Sequence, residues 1–245
     1  MGKIIAVVSG KGGTGKTSFT ANVGISLATL GYRTLCLDCD ITLRNLDLAL
    51  GMSDKALMDF SDVIEGRCTL SEGAVSHPKY PTLYLLSAPV ANGEINITPR
   101  QMKALIQEIR ENFDYCLIDA PAGLGQGFQL ATAFADSAVV VTTPDPIALR
   151  DAQRTVTELS RFPTGRLHLV VNRVQKKMLK SMRTTIDDAI DTAGLPLLGV
   201  VPEDSDMSFA QSRGIPLREC NYYAARGYEN IAKRIVGRKV SLMKI

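Results

Sequence analysis

The sequence predicts an α/β fold with a doubly wound, mainly parallel sheet that is flanked by helices. Short apolar runs alternate with amphipathic stretches along the chain. The runs are apolar on both faces, which suits strands covered by helices on both sides. Several runs end in Asp, Asn or Pro, and sheets of this class bind ligands at the carboxyl ends of their strands. The runs are KIIAVVS, RTLCLDCD, TLYLLSAP, DYCLIDAP, SAVVVTTP, RLHLVVNRV and PLLGVVPED.

The helices between these runs carry recognisable start and stop signals. The first is predicted from about Lys16 to Leu30, with Gly31 as its C-terminal stop. Another lies near residues 98–112, where Thr98 is placed as a cap and Pro99 occupies the first position.

Length and composition predict one sizeable domain. The chain has 245 residues, of which 45% are apolar and 22% are charged, as is ordinary for a globular protein. No linker, repeat or low-complexity segment divides it. We therefore predict a single domain over residues 1–237, followed by a short basic and apolar tail at residues 238–245.

Charge, cysteine usage and hydropathy restrict the class of protein. A net charge of +3 is too small to indicate a nucleic-acid binder, although basic residues cluster at 176–183 and 226–244. Five cysteines, an odd number, fit a reducing cytosol. The C-x-x-C pair Cys36 and Cys39 lies in a predicted strand and should point to opposite faces, so we expect no metal or redox site there. With no signal-peptide pattern and no apolar stretch of ~18 residues, we expect a cytoplasmic protein.

The segment SGKGGTGKTS, residues 9–18, matches the phosphate-binding pattern G-x-x-x-x-G-K-[ST] between a predicted strand and a predicted helix. Its glycines let backbone N–H groups face phosphate oxygens, and the helix N-terminus adds partial positive charge. Lys16 would contact the β- and γ-phosphates, and the Thr17 hydroxyl would ligate Mg²⁺. The sequence thus predicts a P-loop NTPase that binds ATP and Mg²⁺. Its nucleotide-binding residues are Gly10, Lys11, Gly12, Gly13, Thr14, Gly15, Lys16, Thr17 and Ser18.

The loop contains a second lysine, Lys11, directly after its first glycine. Lys11 cannot easily curl back onto the γ-phosphate that Lys16 contacts, so its natural reach is outward. The string K-G-G-T-G-K-T resembles the deviant Walker A motif of the MinD/ParA family, in which the early lysine of one subunit contacts the nucleotide of the other across a dimer. The resemblance implies that Lys11 makes ATP part of a homodimer interface. A solvated lysine is the alternative reading.

The resemblance extends over nearly the whole chain. DCDITLRNLDLALG, from Asp38 to Gly51, resembles the switch segment of the branch of the family that positions the bacterial division site, and DFSDVIEG, DYCLIDAPAG and GVVPED resemble its later blocks. The chain departs from the pattern at Thr42, where the family usually has glycine, and we expect this change to stiffen the switch.

Three aspartates follow predicted strands on the nucleotide side of the sheet. Asp38 and Asp40 are two residues apart, so they share one face of the strand end, and both are expected to face the phosphates and Mg²⁺ as metal-site residues. The resemblance implies that Asp40 positions the attacking water and that Asp38 lies in the metal shell. Both could instead be caps of the strand end. Asp119 is the Walker B carboxylate by position and is expected to hold the Mg²⁺ shell through water.

A second group of residues is expected around the adenine. Asn172 ends a predicted strand, and its amide offers a donor and an acceptor that match adenine N6 and N7. Arg173 could lie along the base, and the family's loops place Pro202 and Asp204 on the other side. Without the resemblance, Asn172 would be read as an ordinary turn residue.

The resemblance implies a switch in which ATP drives dimerisation, the dimer binds an anionic membrane surface on the inner face of the cell membrane, and hydrolysis releases it. Division-site regulators of the MinC-like or MinE-like kind are the expected partners, bound at the helix after residues 138–143. A DNA-segregating ATPase of the ParA type is the alternative, with RVQKKMLKSMRTT as its phosphate-contacting surface. A flagellar-number regulator of the FlhG type is another alternative, and metabolic or electron-transfer relatives rank last.

The C-terminal residues Arg238 to Ile245 are expected to be a minimal membrane anchor. The preceding helix should pack on the core and stop at Gly237. The eight tail residues contain three basic side chains among apolar ones. One copy buries little apolar surface and should bind weakly, whereas a dimer that presents two copies gains by effective concentration. A frayed terminus without function is the alternative.

Overall fold

The computed structural model describes residues 1–53, 55–89, 97–163, 165–204, 215 and 223–243. Strands β1 to β8 are Lys3–Val8, Thr34–Asp38, Val75–Ser76, Leu83–Leu86, Tyr115–Asp119, Ser137–Thr142, Leu167–Val174 and Leu197–Pro202. Helices α1 to α10 are Lys16–Thr29, Leu46–Ala49, Phe60–Ile64, Leu70–Gly73, Pro99–Asn112, Gln126–Thr132, Pro146–Glu158, Lys176–Met182, Ile186–Ala193 and Tyr223–Ile235. None of these helices is both long enough and apolar enough to cross a bilayer.

The strands of the described chain form one eight-stranded sheet in the order β3-β4-β2-β5-β1-β6-β7-β8. All neighbouring pairs are parallel except β3 and β4, which are antiparallel. The order reverses direction around β1, which lies between β5 and β6. This confirms the predicted doubly wound, mainly parallel sheet. Strand β3 was not predicted, because two residues are too few to show an alternating pattern.

Both faces of the central strands are covered, as their apolar runs predicted. Within β1, Ile4, Ala6 and Val8 belong to one buried cluster, and Ile5 and Val7 belong to another on the opposite face. Helix α5 contributes to the first cluster, and helices α1 and α10 contribute to the second. Because successive side chains of a strand point to opposite faces, the single strand β1 contributes to the hydrophobic core on each side of the sheet.

The predicted helix signals have the expected geometry. Helix α1 is followed by Gly31 at φ 93°, and α10 by Gly237 at φ 83°, a left-handed region that glycine adopts without penalty. At the start of α5, Thr98 and Gln101 form a reciprocal capping box, and Pro99 is the first helical residue. Boundaries at these three helices were therefore predictable from single residues.

The two cysteines of the C-x-x-C pair pack on opposite faces of the sheet. Cys36 lies within β2, and Cys39 directly follows that strand. Cys36 packs in a cluster with α1 and β4, whereas Cys39 packs in the cluster that contains α5. Both thiols are buried, and burial raises their pKa values well above the usual range. These positions explain both cysteines as packing residues.

Candidate functional site

The loop between β1 and α1 has the conformation that a phosphate-binding loop requires. Gly13 and Gly15 have φ values of 80° and 91°, which favour glycine. Gly15 is the N-cap of α1, and no side chain caps this helix. The first N–H groups of α1 are therefore available to an anion, and the helix dipole favours negative charge there.

Glycine is also required in the loop by close packing against two other elements. A Cβ on Gly10 would lie 2.4 Å from the backbone oxygen of Asp151 in α7. A Cβ on Gly15 would lie 2.2 Å from Nδ2 of Asn172. Strand β7 continues past Asn172 to Val174, so the prediction that Asn172 ends the strand is wrong. The loop packs between α7 and β7, with Asn172 beside it.

Lys16 lies at the base of the loop with only 7% of its surface exposed. Burial lowers the pKa of its ammonium group, and the nearby Asp119 and Asp40 carboxylates oppose that shift. A buried cation at the N-terminus of a helix attracts polyphosphate strongly, because little water screens it. The structure places Lys16 at the start of α1 near two carboxylates, and its contact with the phosphates stays a prediction.

Two buried carboxylates lie side by side under the loop. Asp38 and Asp119 are paired in the parallel register of β2 and β5, and each is 1% exposed. Burial raises the pKa of Asp38 to about 7, and the adjacent Asp119 adds to that shift. Burial also raises the pKa of Asp119 to about 6, against the hydrogen bonds from the Thr17 and Thr20 hydroxyls and the charge of Lys16.

Asp40 and Asp38 both hold the turn that follows β2. Oδ1 of Asp40 accepts hydrogen bonds from the backbone N–H groups of Thr42 and Leu43, at 3.2 and 3.1 Å. Oδ1 of Asp38 accepts from the Asp40 N–H at 2.8 Å, and its Oδ2 accepts from the Leu46 N–H at 3.3 Å. In this conformation both residues are strand-end caps. The catalytic role of Asp40 stays a prediction.

The segment between Asp40 and Leu46 contains one residue with an unusual backbone. Arg44 has a φ of 43°, and its Nε is buried without a hydrogen-bond partner among the described residues. Thr42 is exposed and lies outside the left-handed region. Threonine is therefore accommodated at the position where glycine was expected from the resemblance, and the non-glycine residue with positive φ is Arg44.

Lys11 is folded against its own chain in this structure. Its Nζ lies 3.4 Å from Oδ1 of Asp145, and its side chain is 38% exposed. Asp145 is the N-cap of α7, where it accepts from the Ala148 N–H at 2.9 Å and from the Thr143 hydroxyl at 2.5 Å. These contacts lower the pKa of Asp145 against the effect of its burial. The outward contact across a dimer remains a prediction, for which Lys11 must leave Asp145.

Asp145 was not singled out from the sequence, although a signal for it was present. The dipeptide Asp145-Pro146 directly follows the run SAVVVTTP, and aspartate before proline is a typical helix start. Because β6 is next to β1, a residue beyond the end of β6 lies close to the loop beyond the end of β1. The helix-start signal at Asp145, combined with the position of β6 next to β1, would have placed Asp145 at the site.

One of the residues predicted to surround the adenine, Asn172, contacts the phosphate-binding loop. Asn172 is fully buried, and its Nδ2 donates to the backbone oxygen of Thr14 at 2.8 Å. Arg173 follows with a φ of 56°. A cavity of about 320 Å³ opens beside the loop, and Arg173 and Glu203 contribute to its wall. Pro202 ends β8, and Asp204 is half-buried two residues later.

The residues of this cleft fit a nucleotide with a divalent cation. Among the described residues, Thr14 Oγ1, Asn172 Oδ1 and Arg173 Nε are buried without a hydrogen-bond partner. Such groups are costly unless a ligand or water satisfies them. No three acidic, histidine or cysteine side chains of the described chain converge as a closed metal site. A hydroxyl with one or two carboxylates suits Mg²⁺, which keeps several waters and usually binds together with substrate phosphates.

The sequence from residue 5 to residue 217 matches the family described as the CobQ/CobB/MinD/ParA nucleotide binding domain. The chain belongs to this family. The septum site-determining protein MinD of Bacillus subtilis (strain 168) is 39% identical in an alignment of 246 positions that covers 99% of this chain and 92% of that protein. MinD of Thermotoga maritima is 39% identical in an alignment of 247 positions that covers 99% of this chain and 91% of that protein.

Solved structures of family members resemble this fold closely. The MinC:MinD cell division protein complex of Aquifex aeolicus contains a chain that matches with a TM-score of 0.91 at 33% identity, over 99% of this chain and 98% of that chain. MinD of Pyrococcus horikoshii OT3, solved in complex with Mg-ADP, matches with a TM-score of 0.84 at 30% identity, over 97% of both chains. The loop geometry above is therefore that of a nucleotide-binding family.

The contact between Asn172 and the loop gives a testable prediction. Asn172→Ala should lower the free energy of unfolding by about 1–3 kcal/mol, because the buried Thr14 carbonyl loses its donor. Urea denaturation would measure this change. Asn112→Ala is a matched control, since its Nδ2 donates to the Glu108 carbonyl at 2.9 Å on an exposed helix surface, where water can replace it. An equal decrease in the free energy of unfolding of the two variants would show that the buried hydrogen bond stabilises the protein no more than the exposed one.

Proposed function

We propose that this chain is a MinD-type ATPase switch, which dimerises on ATP and positions the division site by reversible membrane and partner binding. The observation that carries the proposal is the P-loop with its second lysine, Lys11, in a chain that is 39% identical to MinD over nearly its full length. The Aquifex MinD chain was solved with MinC, which supports a MinC-like partner here. Hydrolysis yields ADP and phosphate.

Each proposed role follows from where the residue lies. Lys16, at the base of the loop, contacts the β- and γ-phosphates of ATP. Mg²⁺ would be held by the Thr17 hydroxyl and, through water, by Asp119 and Asp38, and it would neutralise phosphate charge. Asp40 orients the attacking water once it has released the backbone of the turn.

The remaining nucleotide contacts are proposed from the cleft. The unpartnered oxygen of Asn172 accepts from the adenine amino group, while Arg173, Pro202 and Asp204 enclose the base. Lys11 leaves Asp145 and contacts the nucleotide of the second subunit.

Helix α7 is the proposed binding surface for MinC-like or MinE-like regulators. Its first turn exposes Ile147, which is 69% exposed, and Arg150 and Arg154 are exposed on later turns. An apolar side chain beside basic ones is a combination that protein interfaces favour.

A ParA-like role on DNA is the second candidate. Helix α8 buries none of its residues and exposes Lys176, Lys177 and Lys180, and Arg183 follows it. Such a surface could neutralise phosphates. A flagellar-number regulator of the FlhG type would share the nucleotide chemistry and differ in its partner.

Co-sedimentation separates the first two candidates. We expect the protein to sediment with anionic liposomes in ATP but not in ADP, and to show no ATP-dependent binding to DNA. ATP-dependent sedimentation with DNA and none with liposomes would favour the ParA-like role instead.

The C-terminal tail is the proposed membrane anchor, and its deletion gives the next prediction. In the described part, residues 238–243 follow α10 without forming a helix, and Leu242 is 54% exposed. Lys244 and Ile245 of the predicted anchor lie outside the described residues. Deletion of residues 238–245 should abolish ATP-dependent sedimentation with anionic liposomes, because the apolar contact with the bilayer is lost, and should leave ATP-driven dimerisation intact. Undiminished sedimentation of the truncated protein would exclude the tail as the anchor.

A further inference from the structure

A cavity of about 240 Å³ opens at the amino ends of four neighbouring parallel strands, β1, β6, β7 and β8. The P-loop lies beyond the carboxyl end of β1, so this cavity is on the opposite edge of the sheet. The nucleotide chemistry therefore does not use it. Its lining residues are Lys3, Ile5, Ser137, Val139, Gly165, Arg166, His168, Leu198, Arg234 and Ile235.

The polar residues of this cavity are suited to an anion. Lys3, Arg166 and Arg234 are cationic, His168 and Ser137 add donors, and the lining contains no Asp or Glu. Lys3 and Arg166 are exposed and make no ion pair within the described chain. Burial lowers the pKa of His168.

The carboxylate of Asp136, which lies near Arg166, is already engaged. Asp136 lies close enough to Arg166 for that charge to lower its pKa, but its two oxygens accept from Arg110 at 2.7 and 2.9 Å. Asp136 also accepts from the Ile4 N–H at 2.8 Å. Asp136 is therefore paired with Arg110, and the guanidinium of Arg166 stays available to a ligand.

The floor of the cavity is apolar. Ile5, Val139 and Leu198 are buried there, and Ile235 completes the floor beside them. A free phosphate ion has no apolar surface to bury on such a floor. A ligand that carries hydrocarbon groups beside its phosphate gains binding free energy by burying them there. A volume of about 240 Å³ accommodates a headgroup rather than a whole lipid.

Arg234 connects the cavity to the C-terminal tail. Its Nη1 donates to the backbone oxygen of Leu198 at 2.7 Å, and its Nη2 donates to the backbone oxygen of Val240 at 3.0 Å. The tail therefore leaves the body at the rim of the cavity. Exposed Arg238 and Lys239 lie on the same short segment.

We propose that this cavity binds the phosphodiester headgroup of an anionic membrane phospholipid. Lys3 and Arg166 contact the phosphate oxygens, His168 and Ser137 donate to them, and the glycerol carbons lie on the apolar floor. The tail at the rim then enters the same bilayer with its apolar side chains. This inference rests on the proposed membrane attachment and adds a lipid-specific site to it.

A larger cavity of about 570 Å³ lies at the same edge of the sheet, and it also contains Lys3. Its wall contains Glu111 and Asp114 as well as Arg33 and Arg110, and the guanidinium of Arg110 is already paired with Asp136. Two carboxylates disfavour an anionic ligand, so the smaller cavity is the better site for a headgroup.

The first test uses a soluble lipid, so that the tail is not required. Dihexanoyl phosphatidylglycerol, below its micelle concentration, would be titrated into the full chain saturated with Mg-ADP, and the imidazole resonances of His168 would be followed by NMR. We expect a saturable shift. Lys3→Ser/Arg166→Ser should bind about tenfold more weakly or worse, because two phosphate contacts are lost.

The matched control removes the same charge elsewhere. Arg100→Ser/Lys103→Ser changes two exposed basic residues of α5 and should retain the wild-type affinity. Equal weakening in both variants would show diffuse attraction and overturn the proposal, as would the absence of a shift in the wild type. Equal affinity for inorganic phosphate would make the cavity a free-phosphate site and overturn the lipid assignment.

The second test separates this inference from the proposed anchor. The protein lacking residues 238–245 should lose vesicle binding and still bind the soluble lipid. If the truncated protein kept its vesicle binding, the anchor proposal would fail. The titration with the soluble lipid would still test the cavity independently. In Mg-ATP with vesicles that contain phosphatidylglycerol, Lys3→Ser/Arg166→Ser should sediment less than Arg100→Ser/Lys103→Ser. Equal sedimentation of the two variants would contradict a headgroup site.

Discussion

Lys11→Ala should abolish ATP-driven dimerisation while ATP still binds, whereas Lys16→Ala should strongly impair nucleotide binding and hydrolysis. The two lysines belong to one loop but occupy different positions. Lys16 is buried at the start of α1, where it adds to the positive end of the helix. Lys11 is more exposed, and its ammonium reaches across the loop surface to Asp145. Removal of Lys11 therefore leaves the phosphate cradle of its own subunit intact.

Light scattering at saturating Mg-ATP would measure dimerisation, and fluorescence of a labelled nucleotide would measure binding. Lys103→Ala removes one exposed lysine from α5 and is the matched control, which should dimerise normally. A Lys11→Ala protein that dimerises with wild-type affinity would disprove the role across the dimer.

Asp40→Ala should bind ATP and dimerise but lose roughly 10²-fold or more in turnover, because a positioned general base or water-orienting group contributes about this much. Removal of such a group affects chemistry more than ground-state binding. In the structure, however, Asp40 also accepts two backbone N–H groups of the switch turn. A loss of activity in the alanine variant alone would therefore not separate catalysis from the shape of the turn.

Asp40→Asn separates the two roles. The amide oxygen of asparagine can still accept from the N–H groups of Thr42 and Leu43, but the negative charge is gone. We expect steady-state hydrolysis to fall as far in Asp40→Asn as in Asp40→Ala, with dimerisation unchanged in both. Normal hydrolysis in Asp40→Asn would show that Asp40 is a structural cap only.

Much of the fold was predictable because single residues determine it locally. Runs that are apolar on both faces predicted the central strands, since a parallel sheet must be covered twice. Thr98, Pro99, Gly31 and Gly237 predicted helix ends, because a cap or a positive φ depends on one side chain. The antiparallel strand β3 left no such signal, since two residues pair there only because β4 supplies an edge.

The site was predictable as a set of residues but not as a set of contacts. The motif placed Lys16, Thr17 and Asp119 together, because the loop and the strand ends share one edge of the sheet. It did not reveal that Asn172 donates to the loop or that Lys11 pairs with Asp145. Those contacts join residues 134 or more positions apart, and they depend on the three-dimensional order of the strands.

Arg44 and Arg173 have a consequence for how readily the protein changes shape. Both have left-handed backbone, and each has a buried Nε without a partner among the described residues. Left-handed backbone costs roughly 1–2 kcal/mol at a non-glycine residue, and an unpaired buried donor costs about 1–3 kcal/mol. The observed conformation therefore has a higher free energy than a conformation in which the two arginines leave the left-handed region and their Nε groups find hydrogen-bond partners. A smaller difference in ligand affinity then suffices to shift the population from one conformer to the other.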